Sequence, residues 1–356
     1  MPPRIYLDHA ATTPVVPEAR AAMADALDRW ANPGSAHADG RAARARLEEA
    51  RAGVAEALGW RHEIIFPSGA SEAIAIAAGR ARVPGRVVGA TEHEVVPHAM
   101  GEGAVVLPVD GNGVIDLDAL DAALAAGPAL VAVQQVNNES GVIQPLAAIA
   151  EKVRAAGSLW LADCAQGAGK IDLPDADFIA ISAHKFGGPP GVGALLVRDL
   201  STLAPSGGQE KGYRRGTQDA PGAAAMAAAL AGRRVRKAMP RLAALRERLD
   251  EGVLAAGGMV IAEGAERIAT IGAIAMPGTS SAALLVQLDL AGFSVSAGSA
   301  CASGSLKPSR VLEAMGVAPD IAGAVVRVSF GPGTSEADVD AILAEWTRIA
   351  SRARAA

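Results

Sequence analysis

The chain of 356 residues is long enough to bury a large core and to form two domains. Half of its residues are hydrophobic and one fifth are charged, and the formal net charge of −5 argues against nucleic acid as the main partner. No apolar run approaches the ~18 residues that a membrane span requires. Two cysteines far apart in sequence give no disulfide framework. We therefore expect a cytoplasmic protein without a signal peptide or membrane contact.

Apolar runs that are typical of buried strands alternate with amphipathic helical segments through the first two thirds of the chain. This alternation predicts an α/β fold with a central, mainly parallel sheet of about seven strands and helices on both faces. Open sheets of this kind bind ligands at the carboxyl ends of their strands. The predicted strands cover residues 63–66, 86–90, 104–109, 130–135, 158–162, 178–182 and 192–197.

The C-terminal third predicts a smaller α+β region. A long alanine-rich helix over residues 220–255 leads into it. A last helix begins at Thr334 or Ser335 as N-cap, and we interpret its apolar stripe as packing. We expect a large domain over residues 13–240 and a small one that includes 241–356. Within the small domain, strands are predicted at 269–276, 293–297 and 325–330, and helices at 281–291 and 309–315.

The most informative motif is Ser182-Ala183-His184-Lys185, which ends an apolar run and precedes a glycine-rich turn. The chain has only six lysines, so a lysine at a strand end indicates chemistry rather than solubility. A partly desolvated lysine amine can form a Schiff base with an aldehyde cofactor. A surface lysine in a loop is the alternative, and this tetrapeptide alone does not decide between the two.

Three other strand ends carry groups that pyridoxal phosphate (PLP) requires. Asp163 follows the run 158–162 and could keep a pyridine nitrogen protonated. The segment 67–72 is a Gly-Ser turn that opens a helix, whose N-terminus would present N–H groups to a phosphate. His93 follows another strand and offers a flat ring that could stack on a pyridine. Together these residues predict a PLP site.

Eight short motifs follow one another along the chain: Tyr6-Leu7-Asp8-His9-Ala10-Ala11-Thr12-Thr13-Pro14, Asn32-Pro33-Gly34-Ser35-Ala36-His37, Thr91-Glu92-His93, Val136-Asn137-Asn138-Glu139-Ser140-Gly141, Asp163-Cys164-Ala165-Gln166, Ser182-Ala183-His184-Lys185, Arg214-Arg215-Gly216-Thr217 and Gly298-Ser299-Ala300-Cys301-Ala302-Ser303-Gly304-Ser305. Each motif alone is weakly specific. In this order they resemble the cysteine desulfurases, which are fold-type I PLP enzymes of the class V aminotransferase superfamily. The resemblance runs nearly end to end, and it implies that residues 1–12 join the small domain.

The resemblance implies a role for each residue around the cofactor. Lys185 would hold PLP as a Schiff base, Asp163 would bind the ring nitrogen, His93 would stack on the ring and Gln166 would bind the ring hydroxyl. We expect His184 and Lys185 to lie in an extended segment and so to point to opposite sides. The phosphate would be bound by Gly69, Ala70, Ser71, Ser182 and His184, and by Thr217 of a second subunit, which implies a homodimer.

Arg327 is a charged residue inside the apolar strand at 325–330, where a buried arginine is costly unless it meets an anion. A substrate carboxylate would supply that anion, and Asn138 would complete the contact. An arginine that snorkels from an edge strand is the alternative.

Cys301 lies in a run of small residues, which predicts a mobile loop and suits a nucleophilic thiol. A free cysteine can instead be buried and pack as a small hydrophobic residue. We assign this packing role to Cys164. The chain departs from the family at three positions. Relatives commonly carry an acidic residue at the position of Lys307, often a basic residue at that of Pro190, and often a threonine at that of Ser71.

The implied reaction converts L-cysteine to L-alanine and leaves the sulfur as a persulfide on Cys301. The resemblance implies that Cys301, Lys185 and His93 are the catalytic residues. The sulfur would pass to an acceptor protein for iron–sulfur clusters, a thio-cofactor or tRNA. Selenocysteine lyase and class V aminotransferase remain alternatives, although aminotransfer needs no cysteine on a loop. A non-catalytic PLP-fold scaffold is the alternative from another class. No metal site is expected.

Overall fold

The computed structural model describes residues 4–297 and 309–355. Over these ranges the chain forms twelve strands and twelve α-helices. The strands are β1 (Ile5–Tyr6), β2 (Glu63–Ile65), β3 (Gly85–Gly89), β4 (Val105–Leu107), β5 (Ala129–Ala132), β6 (Leu159–Asp163), β7 (Phe178–Ser182), β8 (Gly193–Val197), β9 (Met259–Val260), β10 (Ile271–Ala275), β11 (Phe293–Ser294) and β12 (Val325–Ser329).

The helices vary widely in length. They are α1 (Pro17–Asp28), α2 (Ala38–Leu58), α3 (Ala70–Arg80), α4 (Val95–Met100), α5 (Leu117–Leu124), α6 (Leu146–Ala155), α7 (Ala220–Gly232), α8 (Arg234–Ala255), α9 (Ser281–Leu290), α10 (Arg310–Ala314), α11 (Pro319–Ala322) and α12 (Glu336–Ala355). None of these helices is long and apolar enough to cross a membrane.

The large sheet has seven strands in the order β2-β8-β7-β6-β5-β3-β4. Only β8 runs antiparallel to its neighbours, so the predicted mainly parallel sheet is confirmed. Its strands are apolar at nearly every position because helices cover both faces. Neighbouring residues such as Val87 and Val88 enter separate hydrophobic clusters, one on each side of the sheet.

The strand order brings the predicted site motifs to one edge. β6 and β7 are parallel neighbours, with Asp163 beside Ala180, so both strands end at the same edge. β2 pairs antiparallel with β8, which pairs antiparallel with β7, so β2 also ends there. The segments after β2, β6 and β7 carry the Gly-Ser turn, Asp163 and Lys185 respectively.

Two smaller sheets lie among the C-terminal elements. One has the order β12-β10-β9, and the other pairs β1 with β11 in parallel. Leu7 packs in the same hydrophobic cluster as residues of β12, α8 and α12, so the first residues pack with the C-terminal third. The predicted domain boundary at residue 240 falls inside α8, at Pro240, and the division into domains stays a prediction.

Two local expectations are wrong. The single helix predicted over 220–255 is two helices, because Arg233 adopts a left-handed conformation with φ 50° between α7 and α8. The extended segment expected at His184 and Lys185 is instead one turn of 3₁₀ helix. The N–H groups of Phe186 and Gly188 both donate to the Ala183 carbonyl and close this turn.

Candidate functional site

The N-terminus of α3 forms one side of the candidate site. α3 begins after Gly69 without a side-chain cap, so its first backbone N–H groups are available to an anion. A Cβ atom on Gly69 would lie 3.4 Å from the Ser182 hydroxyl oxygen, which places this hydroxyl beside the turn. Ala70 and Ser71 are the first two residues of α3. The predicted phosphate-binding residues of this chain therefore meet at one place.

Gly193 permits this close approach. A Cβ atom there would lie 2.4 Å from the Ile181 carbonyl oxygen and 2.7 Å from Gly69 Cα. The N–H of Gly193 donates to the Pro67 carbonyl at 2.9 Å. The start of β8 thus fixes the Gly-Ser turn against the end of β7, and only glycine leaves room for it.

Glu72 and Arg214 hold the turn from the other side, and sequence reasoning missed this pair. The Ser68 N–H donates to Glu72 Oε2 at 2.6 Å, and Arg214 Nε donates to Glu72 Oε1 at 2.8 Å. Burial opposes ionisation of Glu72, but the hydrogen bonds from Arg214 and Ser68 lower its pKa overall. Glu72 stands in the first turn of α3, a favourable position for an acid, and only this half of the pair could have been expected from the sequence.

Lys185 lies beneath the N-terminal segment. Its Nζ donates to the carbonyl oxygens of Ala10 and Ala11 at 2.7 and 3.0 Å. Thr13 contributes further contacts, because its N–H donates to the His184 carbonyl at 2.8 Å. Residues 10–13 therefore cover the amine predicted to carry the cofactor.

The charges of His93 and Lys185 act on the Asp163 carboxyl. Burial raises the pKa of the Asp163 carboxyl, while the Ala165 N–H, His93 and Lys185 act to lower it. Ala165 N donates to Asp163 Oδ1 at 2.9 Å, which fixes the carboxylate at the end of β6. A carboxylate held this way is suited to pair with a protonated ring nitrogen.

Gln166 presents an unsatisfied group to the same region. Its Nε2 donates to the Ala10 carbonyl at 2.9 Å, but its buried Oε1 has no hydrogen-bond partner among the described residues. A buried carbonyl oxygen without a donor is costly, so it fits a ligand that carries a hydroxyl.

PLP fits the groups at this site. Its ring hydroxyl would suit the Gln166 amide, its aldehyde the Lys185 amine, and its phosphate the uncapped N-terminus of α3. His184 adds to this fit, since its Nδ1 lies 3.2 Å from Thr12 Oγ1 and the ring stays neutral near pH 7. Burial, followed by the charge of Lys185, lowers the pKa of His184 to about 4.

Arg327 meets a carboxylate that the sequence reasoning missed. Its Nη2 lies 2.8 Å from Asp8 Oδ1, and its Nη1 donates to the backbone carbonyl of Asn138 at 3.0 Å. Its side chain is 6% exposed, which excludes the snorkelling alternative. The Arg327 Nε is buried without a hydrogen-bond partner among the described residues. Because Asp8 is 319 positions away in sequence, no local pattern pointed to it.

The turn that carries Asn138 is tied to the His93 segment. Asn137 Oδ1 accepts from the N–H groups of Glu139 and Ser140 at 2.9 and 2.8 Å, and its Nδ2 donates to the Thr91 carbonyl at 3.0 Å. In the same turn, the Glu139 carboxylate accepts a 2.6 Å hydrogen bond from the Ser309 hydroxyl.

One predicted residue of the described chain, Thr217, is not brought to this cluster. Thr217 is exposed and lines a groove with residues of α1, α2 and α7. Cys301 lies outside the described residues, as does Lys307. Cys164, in contrast, is fully buried, and burial followed by the charges of Asp163 and Glu92 raises its pKa well above the usual value. These properties agree with a packing role for Cys164.

Comparison with known proteins gives consistent matches. The aminotransferase class-V family matches residues 5–342. A cysteine desulfurase from Cereibacter sphaeroides is 36% identical over 99% of this chain and 97% of that protein. An IscS-like cysteine desulfurase from Mycobacterium tuberculosis is 40% identical with the same coverage. The X-ray structure of a NifS-like protein from Rickettsia africae is similar at a TM-score of 0.89, with 29% identity over 97% of this chain and 99% of that one.

Proposed function

The chain belongs to the aminotransferase class-V family and, within it, to the PLP-dependent cysteine desulfurases, and we propose that Cys301 receives the sulfur of L-cysteine as a persulfide. The observation that carries the proposed site is that Asp163, Lys185 and the uncapped N-terminus of α3 follow strands that end at one edge of the large sheet, where the charge of Lys185 acts on the Asp163 carboxyl.

The proposed cofactor site uses residues from three strand ends. Lys185 would carry PLP, Asp163 would bind the ring nitrogen, His93 would stack on the ring and Gln166 would bind the ring hydroxyl. The phosphate would lie among Gly69, Ala70, Ser71, Ser182 and His184. When bound, PLP supplies an electron-withdrawing ring that stabilises negative charge at the Cα of an amino acid.

The substrate would bind through its carboxylate. The Arg327 guanidinium, held by Asp8 and by the Asn138 carbonyl, retains N–H groups for this contact, including the buried Nε. Lys185, freed of its covalent bond, would then move the substrate's Cα proton as general base and acid.

The sulfur transfer balances without an outside oxidant. The Cys301 thiolate would attack the sulfur of L-cysteine, so that an S–S bond forms while the substrate C–S bond breaks. The electron pair of that bond stays with the carbon skeleton, which takes up a proton at Cβ and becomes L-alanine. The products are L-alanine and a Cys301 persulfide.

We also propose a homodimer in which Thr217 completes the phosphate site of the partner subunit. The exposure of Thr217 at the end of a segment that Arg214 anchors to Glu72 supports this arrangement. The persulfide would pass to an acceptor protein that serves iron–sulfur clusters, a thio-cofactor or tRNA. A cytoplasmic location is proposed from the low cysteine count.

The proposed function is tested by supplying L-cysteine to the purified holoenzyme with and without a reductant. Without the reductant, L-alanine should form up to about one equivalent per site. With the reductant, sulfide should be released and L-alanine should continue to form beyond that amount. Keto acid in place of alanine would instead indicate aminotransfer.

A further inference from the structure

Glu210 is a buried carboxylate that holds the chain just before the Gly-Ser turn. It accepts a hydrogen bond of 2.8 Å from the Phe66 N–H, and its side chain is fully buried. Arg51 of α2 pairs with both of its carboxylate oxygens, at 2.9 and 3.1 Å. The same guanidinium donates to the Ile64 carbonyl at 2.6 Å and lies 4.8 Å from the centre of the Phe66 ring. Because a bidentate pair has a fixed geometry, Glu210 sets the direction in which the chain leaves β2.

Arg214, four residues further on, contacts the last residue of the same turn. Its Nε donates to Glu72 Oε1 at 2.8 Å, and Glu72 Oε2 accepts from the Ser68 N–H at 2.6 Å. Glu210 and Arg214 therefore contact the chain directly before the Gly-Ser turn and at its end. One short segment, residues 210–214, thus supports the proposed phosphate-binding backbone at both ends.

The backbone of this segment is strained at its start. Glu210 and Lys211 have φ values of 49° and 56°, in the left-handed region that favours glycine. Residues held in this conformation persist only where the surrounding contacts fix them. Here the contacts of Glu210 with Arg51 and Phe66 fix the backbone. Without the Glu210 carboxylate, the strain would favour a different path for the residues that follow.

Thr217 lies on the chain just beyond this segment. The loop before it is closed by Arg215, whose Nε donates to the Ser206 carbonyl at 2.8 Å. Thr217 itself is exposed. Since Glu210 and Arg214 fix this loop to the chain around β2 and α3, the position of Thr217 depends on their contacts.

We propose that Glu210 is a positioning residue for two phosphate sites at once. It supports the Gly-Ser turn of its own subunit through Phe66, and it places Thr217 for the site of the partner subunit. The group that it serves is the phosphate of the cofactor, rather than the ring or the aldehyde. This inference rests on the proposed function, because it takes PLP to be the cofactor and Thr217 to act across a homodimer.

The first test compares two ligands of the apoenzyme that differ only in a phosphate: PLP and pyridoxal. Their dissociation constants are measured from the change in absorbance as the Schiff base forms. Glu210→Gln keeps the size of the side chain and removes its charge, so it should weaken PLP binding by about tenfold or more and pyridoxal binding less than about twofold. Glu48→Gln is the matched control, since Glu48 pairs with the same Arg51 guanidinium but is half-exposed, and it should change neither.

Two mixed dimers then separate the two sites that Glu210 would serve. In the first, a Glu210→Gln chain pairs with a Lys185→Ala chain; in the second, a chain with both substitutions pairs with an unmutated chain. Each holds one site that can form the Schiff base. That site lies in the substituted chain in the first dimer, and it receives Thr217 from the substituted chain in the second.

PLP bound at Lys185 is counted after borohydride reduction at increasing PLP concentrations, with a mixed dimer of unmutated and Lys185→Ala chains as the reference. Independent contributions multiply, so each arm should need about threefold more PLP or above. No change in either arm would overturn the proposal, because Glu210 would then serve one site or neither. Equal weakening of PLP and pyridoxal by Glu210→Gln would also overturn it.

The unmutated protein separates this proposal from the broader one. If it does not bind PLP or does not convert L-cysteine, the proposed function is wrong and this inference with it. If it binds PLP and converts L-cysteine while Glu210→Gln keeps wild-type affinity for PLP, only the role of Glu210 is wrong.

Discussion

Lys185 and Gln166 donate to the same acceptor, the Ala10 carbonyl, at 2.7 and 2.9 Å. This shared contact joins two strand ends of the large sheet to a segment near the start of the chain, which pairs with C-terminal strands. The Lys185 amine and the Gln166 amide are therefore positioned by one backbone carbonyl.

We predict that the purified protein carries PLP on Lys185. Borohydride reduction followed by peptide mapping should place the pyridoxyl group on this residue, because Lys185 follows β7 at the edge of the sheet where Asp163 and the start of α3 also lie. Lys170 is the internal control, since it is buried nearby. A pyridoxyl group on Lys170 or on any other lysine would refute the assignment.

Gly193→Ala should weaken PLP binding by about tenfold or more. The new methyl group would contact the Ile181 carbonyl and Gly69 Cα, and overpacking of this kind costs roughly 1–3 kcal/mol. The displaced turn would then misalign the phosphate site. PLP affinity is measured by titrating the apoenzyme and following absorbance.

Gly79→Ala is the matched control for this change. Gly79 lies within α3, and a Cβ atom there meets nothing within 4 Å. Alanine should stabilise the helix by up to about 1 kcal/mol and leave PLP affinity unchanged. If Gly193→Ala binds PLP as tightly as Gly79→Ala, this packing does not support the phosphate site.

The sequence predicted the large sheet well because its strands are continuous apolar runs between turn residues. β7 was predicted at its observed bounds, and the other six strands to within three residues at each end. The break at Arg233 was missed, because an arginine in an alanine-rich segment favours helix and gives no stop signal.

The candidate site was predictable where each residue follows a strand, as Asp163 and Lys185 do. Contacts between distant segments could not be predicted from the sequence, since they depend on tertiary packing. Asp8 pairs with Arg327 across 319 positions, and Glu72 pairs with Arg214 across 142. Lys170 was missed for the same reason, because nothing near it in sequence marks it as buried beside other cations.

Lys170→Met should change how stability depends on pH. Burial, then the charges of Lys185 and Arg327, lower the pKa of folded Lys170 from 10.5 to about 7. Between these values the unfolded chain binds more protons, so the free energy of unfolding rises with pH. The variant should be more stable than wild type at pH 7 and should lose this slope. Denaturant unfolding between pH 7 and 10 measures it, and equal slopes in both proteins would contradict the assignment.

The proposed dimer predicts complementation between two inactive variants. In a mixed dimer of Lys185→Ala and Thr217→Ala chains, one site combines an intact lysine with an intact threonine from the partner. One of the two sites should therefore recover activity, while dimers in which both chains carry Lys185→Ala stay inactive. Mixed dimers that form without regaining activity, or a fully active monomer in sedimentation, would rule out the composite site.

The central claim is that Cys301 accepts the sulfur, and Cys301→Ser tests it most directly. The variant should still bind PLP and L-cysteine, because Lys185 and Arg327 are unchanged. Alanine formation from L-cysteine should fall to background, because a hydroxyl is a far weaker nucleophile toward sulfur than a thiolate. Cys164→Ser should keep most activity. Loss of alanine formation in Cys301→Ser alone is the predicted result, and full alanine production by that variant would contradict the mechanism.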